Sequence, residues 1–271
     1  MLEMVAPPVI TLLTDFGLKD PYVAEMKGTI LSICPEARIV DITHQVEKFN
    51  IRMGAYILAS SIPHFPKGSI HVAVVDPGVG TERKAIIIKT LRSVLIGPDN
   101  GLLALSAMRE GVKEVFAIEN PRYIAKKLSK TFHGRDIFSR AAAYLAKGVP
   151  ISDFGPRIDD FIKPEFSLPR YEDGKLMGEI VYIDDFGNAV TNITKKDFEK
   201  LGISVGSILS LQIKPKEFKI RLCNTYGEVP KGEKLTLFGS DDFFEISINQ
   251  GNAAETLNLR VGDKVSVYPL T

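Results

Sequence analysis

The chain has 271 residues, 45% of them hydrophobic, and carries 34 Lys and Arg against 33 Asp and Glu for a formal net charge of +1. That length allows one large domain or two of ordinary size, and the balanced charge provides no global field for nucleic acid or an anionic membrane. No run approaches the ~20 apolar residues of a membrane span, the opening MLEMVAPP lacks the basic-then-apolar pattern of a leader, and two cysteines, Cys34 and Cys223, are too few for a disulfide framework, so a cytoplasmic protein is expected.

VITLLT (9–14) is a short β-branched run that ends at Asp15-Phe16-Gly17. Asp20-Pro21 has the form of a helix start, Asp as cap and Pro in the first turn, and Tyr22, Val23, Met26, Ile30 and Ile33 follow at helical spacing. RIVDIT (38–43) is a strand, 51–61 a helix, and SIHVAVV (69–75) a buried strand; AIIIK (85–89), SVLIG (93–97) and EVFAI (114–118) are further strands. A helix follows Asn100-Gly101, and another runs through DIFSRAAAYLAKG (136–148). Strands alternating with helices predict a mostly parallel α/β sheet.

From about residue 170 the helical spacing stops. GEIVYID, SILSLQI, EFKIRL, KLTLFG, FFEISI and KVSVYPL are short strands parted by turn residues, the pattern of a small β-barrel or sandwich. The polar, proline-bearing segment 156–176 reads as the linker. The expected organisation is an α/β domain over 1–168 and a smaller β-barrel domain over 169–271.

Asp76 directly follows HVAVV and precedes Pro-Gly-Val-Gly, which puts a carboxylate at the C-terminal end of a strand, the edge where α/β sheets bind ligands. The alternative is an Asp that only caps the turn. Arg83, seven residues on, is by itself an ordinary surface group. TFHGRD sets Phe132, His133 and Gly134 ahead of a helix, whose N-terminal amides would keep the imidazole neutral; Asp136 has the form of a helix cap. No histidine pairs with carboxylates at a metal-ligand spacing. Asp15 ends the first strand, where a carboxylate can accept ribose hydroxyls or simply make a turn with Gly17. IDDFGNAVTNI (183–193) offers Asp184, Asp185 and Asn188 around a Gly turn, for an ammonium and a base edge or for a plain hairpin. SINQGNAAE (247–255) offers Asn249, Gln250 and Asn252 for a flat heterocycle. DPGVGTER matches neither phosphate-binding glycine pattern.

TDFG, SICP, VVDPGVGTER, GPDNGLL, TFHGRD, DDFGNAVTNI and NQGNAA occur in this order, and as an ordered set the chain resembles the S-adenosylmethionine hydroxide adenosyltransferases, relatives of the fluorinase and chlorinase enzymes, from about residue 9 to residue 268. The resemblance implies an α/β N-terminal domain, a C-terminal β-barrel and a homotrimer with sites between neighbouring subunits. It also implies hydrolysis of S-adenosylmethionine to adenosine and methionine, with no cofactor and no metal. By position it implies Asp76, Arg83 and His133 around the attacking water, Asp15 on the ribose, Phe49, Phe132 and Gly134 beside the ligand, and Asp184 on the methionine ammonium. Asn188 and Ala253 fall on the adenine side, with Tyr226 and Ser240 as further binding positions. The fluorinase has tyrosine in place of Asp76 and Tyr-Ser in place of His133-Gly134, which favours water over halide. A chloride-using halogenase and a non-catalytic binder of S-adenosylmethionine or adenosine are the alternatives.

Overall fold

The computed structural model describes residues 7–213 and 215–270. Residues 1–6, on which the leader reading largely rests, lie outside them. Contacts divide the chain between Lys163 and Pro164.

In the first unit β1 (Val9–Thr14), β2 (Arg38–Thr43), β3 (Ile70–Val74), β4 (Ala85–Thr90), β5 (Val94–Pro98) and β6 (Val112–Ala117) form one sheet in the order β2-β1-β3-β5-β4-β6. The pairs β2–β1, β1–β3 and β3–β5 are parallel, while β4 runs antiparallel to both β5 and β6. The sheet is therefore mostly parallel with one reversed strand.

Four helices accompany it: α1 (Tyr22–Ile33), α2 (Ile51–Ser61), α3 (Ala104–Glu110) and α4 (Arg140–Ala146). Alternate strand residues point to opposite faces, and each face has its own core. Ile10, Leu12, Val72, Ile87 and Ile96 pack with Met26, Ile30, Phe138 and Ala142. Leu13, Ala73, Val75, Ile86 and Ile88 pack with Leu58, Leu102 and Ala107. Each such side chain contributes roughly 1.5–3 kcal/mol on burial, so the strand ends that carry polar residues sit on a rigid base.

Two local expectations change. Pro21, not Asp20, occupies the α1 cap position, and no side chain caps the helix there; the Pro21 carbonyl instead accepts the Glu25 amide at 2.9 Å. The helix expected over 136–148 is a wide-turn segment, Gly134–Ser139, running into α4. Wide turns of this kind collect at functional sites.

The second unit is a nearly closed barrel. Its strands are β7 (Arg170–Glu172), β8 (Lys175–Ile183), β9 (Ala189–Thr194), β10 (Ile208–Ile213), β11 (Lys216–Leu222), β12 (Lys234–Phe238), β13 (Phe243–Ile248) and β14 (Lys264–Pro269). The order β14-β10-β11-β12-β13-β9-β8-β7 closes through β14–β8. All pairings are antiparallel except β11–β12. Inside lie Ile180, Ile193, Leu209, Leu211, Phe244 and Val265. Part of the expected linker is thus strand: β7 turns into β8 through Asp173 and Gly174, both at positive φ, the two-residue hairpin geometry that Asp-Gly favours. Two short helices, α5 (Lys195–Phe198) and α6 (Ala253–Leu257), complete the unit.

Candidate active site

The reversed direction of β4 assembles the first cluster. Asp76 follows β3 at its C-terminal end. Because β4 is antiparallel to β5, its first residue, Ala85, pairs with Pro98, the last of β5. Arg83, just ahead of β4, is thereby delivered to the sheet edge where Asp76 emerges. Asn100, beyond β5, braces that edge by donating from Nδ2 to the Val75 carbonyl at 2.8 Å.

The segments 76–83 and 129–136 are held close at Gly80, whose φ is +78° and where a Cβ would overlap the Lys130 carbonyl oxygen. Only glycine allows that approach. Across it, Arg83 Nε donates to Asp76 Oδ1 at 2.9 Å, and Nη2 donates both to Asp76 Oδ2 at 2.5 Å and to His133 Nδ1 at 2.7 Å. The Asp76 and Arg83 side chains are 4% and 10% exposed, so this two-pronged pair works with little solvent screening. The guanidinium also lies 5.4 Å from the Phe138 ring centre, within cation–π range.

A guanidinium can only donate. His133 Nδ1 must therefore accept, which makes the ring neutral with its proton on Nε2. Burial is the main cause holding the imidazolium below its ordinary range, followed by the Arg83 charge. The neutral ring was expected, but its cause is the guanidinium and the dry surroundings rather than helix amides. Asp136 is tied into the loop rather than capping a helix: it accepts from the Ser129 amide and from Arg135 Nε, each at 2.7 Å. Phe132 stacks edge-on against Phe16 and Tyr22, and Gly134 leaves room beside Met26, Phe132 and Phe16.

Asp15 directly follows β1, which lies next to β3 in the sheet, and is 5% exposed. Its Oδ2 accepts the Phe49 amide at 2.9 Å, and its carbonyl accepts from Lys48. Phe49 is held at φ +66° and is 68% exposed. A bulky residue in that conformation costs roughly 1–3 kcal/mol and marks functional positions. A carboxylate and a flat aromatic surface stand together here.

In the second unit Asp184 organises the turn before β9. Its Oδ1 accepts the Phe186 and Asn188 amides at 3.0 and 2.8 Å, and Oδ2 accepts Asn188 Nδ2 at 2.8 Å. A Cβ on Gly187 would overlap the Asn252 side chain, and the Ala254 amide reaches the Gly187 carbonyl at 2.9 Å, so Asn188 and the Ala253 segment converge. Tyr226 donates to Glu245 Oε2 at 3.0 Å. Burial pushes the Glu245 carboxyl up, and the Asp184 and Asp241 charges add to this. Ser240 is exposed at the tip of the β12–β13 turn.

Sequence reasoning passed over Glu245 and Phe186. The first is the one charged residue inside FFEISI, and the second is an aromatic placed in a Gly turn and 79% exposed. Among the described residues no group of three or more His, Cys, Asp or Glu could hold a metal ion, and no helix is long and apolar enough to cross a membrane.

Comparison with known proteins gives a consistent result. Residues 10–155 match the family model of the SAM hydroxide adenosyltransferase N-terminal domain, and residues 178–266 match that of its C-terminal domain. An (R)-S-adenosyl-L-methionine hydrolase of Salinispora arenicola is 36% identical over 267 residues, covering 97% of this chain and 99% of the relative. A fluorinase of Nocardia brasiliensis is more distant, 27% identical over 289 residues with 96% of each chain covered. A crystal structure of an uncharacterized conserved protein from Thermotoga maritima superposes with a TM-score of 0.85 at 39% identity, over 96% of this chain and 99% of the other.

Proposed function

Because the chain belongs to the SAM hydroxide adenosyltransferase family, we propose that it hydrolyses S-adenosyl-L-methionine to adenosine and L-methionine. The observation that carries this reading is the buried Asp76–Arg83–His133 cluster, with its two-pronged ion pair and neutral imidazole. The substrate's sulfonium departs as a neutral thioether, so neither a metal nor an acid is needed to assist it. What remains is to hold a water in line behind C5′, opposite sulfur, and to take its proton.

Arg83 stays protonated and cannot be the base. His133 Nδ1 is engaged by Arg83 and Nε2 already carries a proton, so this ring donates outward and orients the water oxygen. Each Asp76 oxygen keeps a lone pair beyond the one Arg83 uses, and Asp76 accepts the proton as the C5′–O bond forms and the C5′–S bond breaks. Attack on a cation disperses charge, which a dry pocket with fixed dipoles favours. Asp15 with Phe49 receives the ribose, Phe132 and Gly134 shape the adjoining wall, and Asp184 receives the methionine ammonium. Asn188, Tyr226, Ser240 and Ala253 serve the adenine and amino-acid ends.

We also take the working form to be a homotrimer with sites between neighbouring subunits. The exposed Phe49 and Phe186 rings, each beside a polar cluster, support this. It predicts a solution mass of three times 29.9 kDa. The two buried free thiols fit a reducing cytoplasm.

The test is a product assay without added metal, with each sulfur epimer supplied separately. Adenosine and methionine in equal amounts support the reading. Free adenine, 5′-chloroadenosine in high chloride, or tight binding without turnover would each replace it.

A further inference from the structure

The end of β1 is held by buried groups that the proposed reaction does not use. Thr14, fully buried, and His44, 3% exposed, meet through Thr14 Oγ1 and His44 Nδ1 at 2.8 Å. The Phe16 amide donates to the same hydroxyl at 3.2 Å, and the Gly17 amide donates to the His44 carbonyl at 2.7 Å. On the ring's far side Nε2 lies 3.1 Å from Asp41 Oδ1, an electrostatic contact rather than an aligned hydrogen bond. Asp41 Oδ2 in turn accepts from Lys27 Nζ at 2.6 Å.

A bulge makes this arrangement possible. In the β1–β2 pairing Leu12 faces Asp41 but Leu13 faces Thr43, so Ile42 is an extra residue on β2. Bulges re-aim side chains beside functional sites; this one brings Asp41 and His44 to the end of β1. The trio has the residue types of a nucleophilic triad, but Thr14 has no exposed surface and can attack no external substrate. Its two hydrogen bonds instead fix Asp15 from both sides in sequence, through Thr14 before it and Phe16 after it.

We propose that His44, acting through Thr14, is a positioning residue that holds the Asp15 carboxylate in register for the two ribose hydroxyls. With Nε2 toward the Asp41 carboxylate, the ring proton sits on Nε2 and Nδ1 accepts the Thr14 hydroxyl. That hydroxyl is then free to accept the Phe16 amide, and the two bonds run in one sense from Phe16 through Thr14 to His44, whose Nε2 faces the Asp41 charge. Neighbouring bonds in such a buried chain strengthen one another. Without it, the polar contacts left at the Asp15 turn include those of Phe49 and Lys48 and the Gly17 amide bond to the backbone of residue 44, while the Phe16 ring stays packed on Tyr22 and Phe132.

The inference rests on the ribose role given above to Asp15, and the experiment separates the two. Adenosine and 2′,3′-dideoxyadenosine are titrated calorimetrically into the parent, His44→Phe, His44→Asn and Thr14→Val, with turnover of S-adenosylmethionine measured in parallel and folding checked by circular dichroism. For His44→Phe we expect adenosine affinity to fall about tenfold and KM to rise in step with kcat little changed. Dideoxyadenosine affinity should be unaffected. His44→Asn, whose amide can occupy the Nδ1 position, should recover most of the loss. Thr14→Val should reproduce the defect if His44→Phe does not fold. Equal losses for adenosine and its dideoxy analogue, a fall in kcat with KM unchanged, or no rescue by Asn would overturn the inference while leaving the reaction intact. A parent that neither binds adenosine nor turns over the substrate overturns both.

Discussion

Arg83 Nη2 stands 2.7 Å from His133 Nδ1, and because the guanidinium has no lone pair to offer, that one distance fixes the imidazole as neutral and its outward nitrogen as a donor. The same nitrogen of Arg83 also holds Asp76. A lysine cannot do both: its ammonium is a point charge without the planar fork. Arg83→Lys should lower kcat by about 10²–10³ with substrate affinity changed only a few-fold. Single-turnover rates beside equilibrium binding check this, and an unchanged kcat would remove Arg83 from the chemistry.

Acid should act on the same contact. Protonating His133 places a proton on Nδ1, against the Arg83 donor, and breaks the cluster. Burial and the Arg83 charge hold that event below the ordinary histidine range. Turnover should therefore stay flat as pH falls to 6.5 and decline only further down, and the acid limb of kcat/KM reports it. A limb centred at 6.5 or above would contradict the neutral-imidazole account.

Gly80→Ala tests whether the two segments must touch. The new methyl overlaps the Lys130 carbonyl and the backbone sits at φ +78°, where an L side chain adds roughly 1–2 kcal/mol. Activity should fall by about 10² while the melting temperature drops by only a few degrees. Full activity would show that the close approach is incidental.

Much of this was readable from residues alone. The alternation of VITLLT, RIVDIT and SIHVAVV with helical spacing specified an α/β sheet, and it placed Asp15 and Asp76 at strand ends. Arg83 was not readable, because AIIIK looks the same in either direction and its value as a ligand depends on β4 being reversed. The Asp173-Gly174 hairpin carried its signal, but β7 is exposed along its length and so lacks the apolar alternation that identifies a strand. Thr14 lies 30 residues from His44, and the two are brought together, with Asp41 beside them, by a bulge, a register feature with no local sequence mark. Glu245 carried no local mark, because its hydrogen-bond partner Tyr226 and the nearby Asp184 charge come from distant parts of the chain.

A second histidine gives a stability prediction separate from catalysis. His71, fully buried in β3 with Nδ1 on Thr11 Oγ1 at 2.8 Å, is pulled down to about 4 by burial and by the Arg92 charge. Above pH 6.5 the folded and unfolded chains are both neutral there, and His71 makes no pH-dependent contribution. Between 6.5 and about 4 the unfolded chain takes up a proton that the folded one refuses, so stability falls as pH drops, by roughly 3 kcal/mol in all. Urea unfolding at pH 7 and pH 4 should show that extra loss in the parent and not in His71→Gln. Equal losses in the two would exclude His71 as the cause.

The central claim is that the Asp76–Arg83–His133 cluster directs water to C5′ of the ribose. Hydrolysis of S-adenosylmethionine in ¹⁸O-labelled water, followed by mass spectrometry of the products, tests it most directly. The account predicts one labelled oxygen in adenosine, at the 5′ position, and none in methionine. Unlabelled adenosine, or label in any product other than the 5′-hydroxyl, would contradict it.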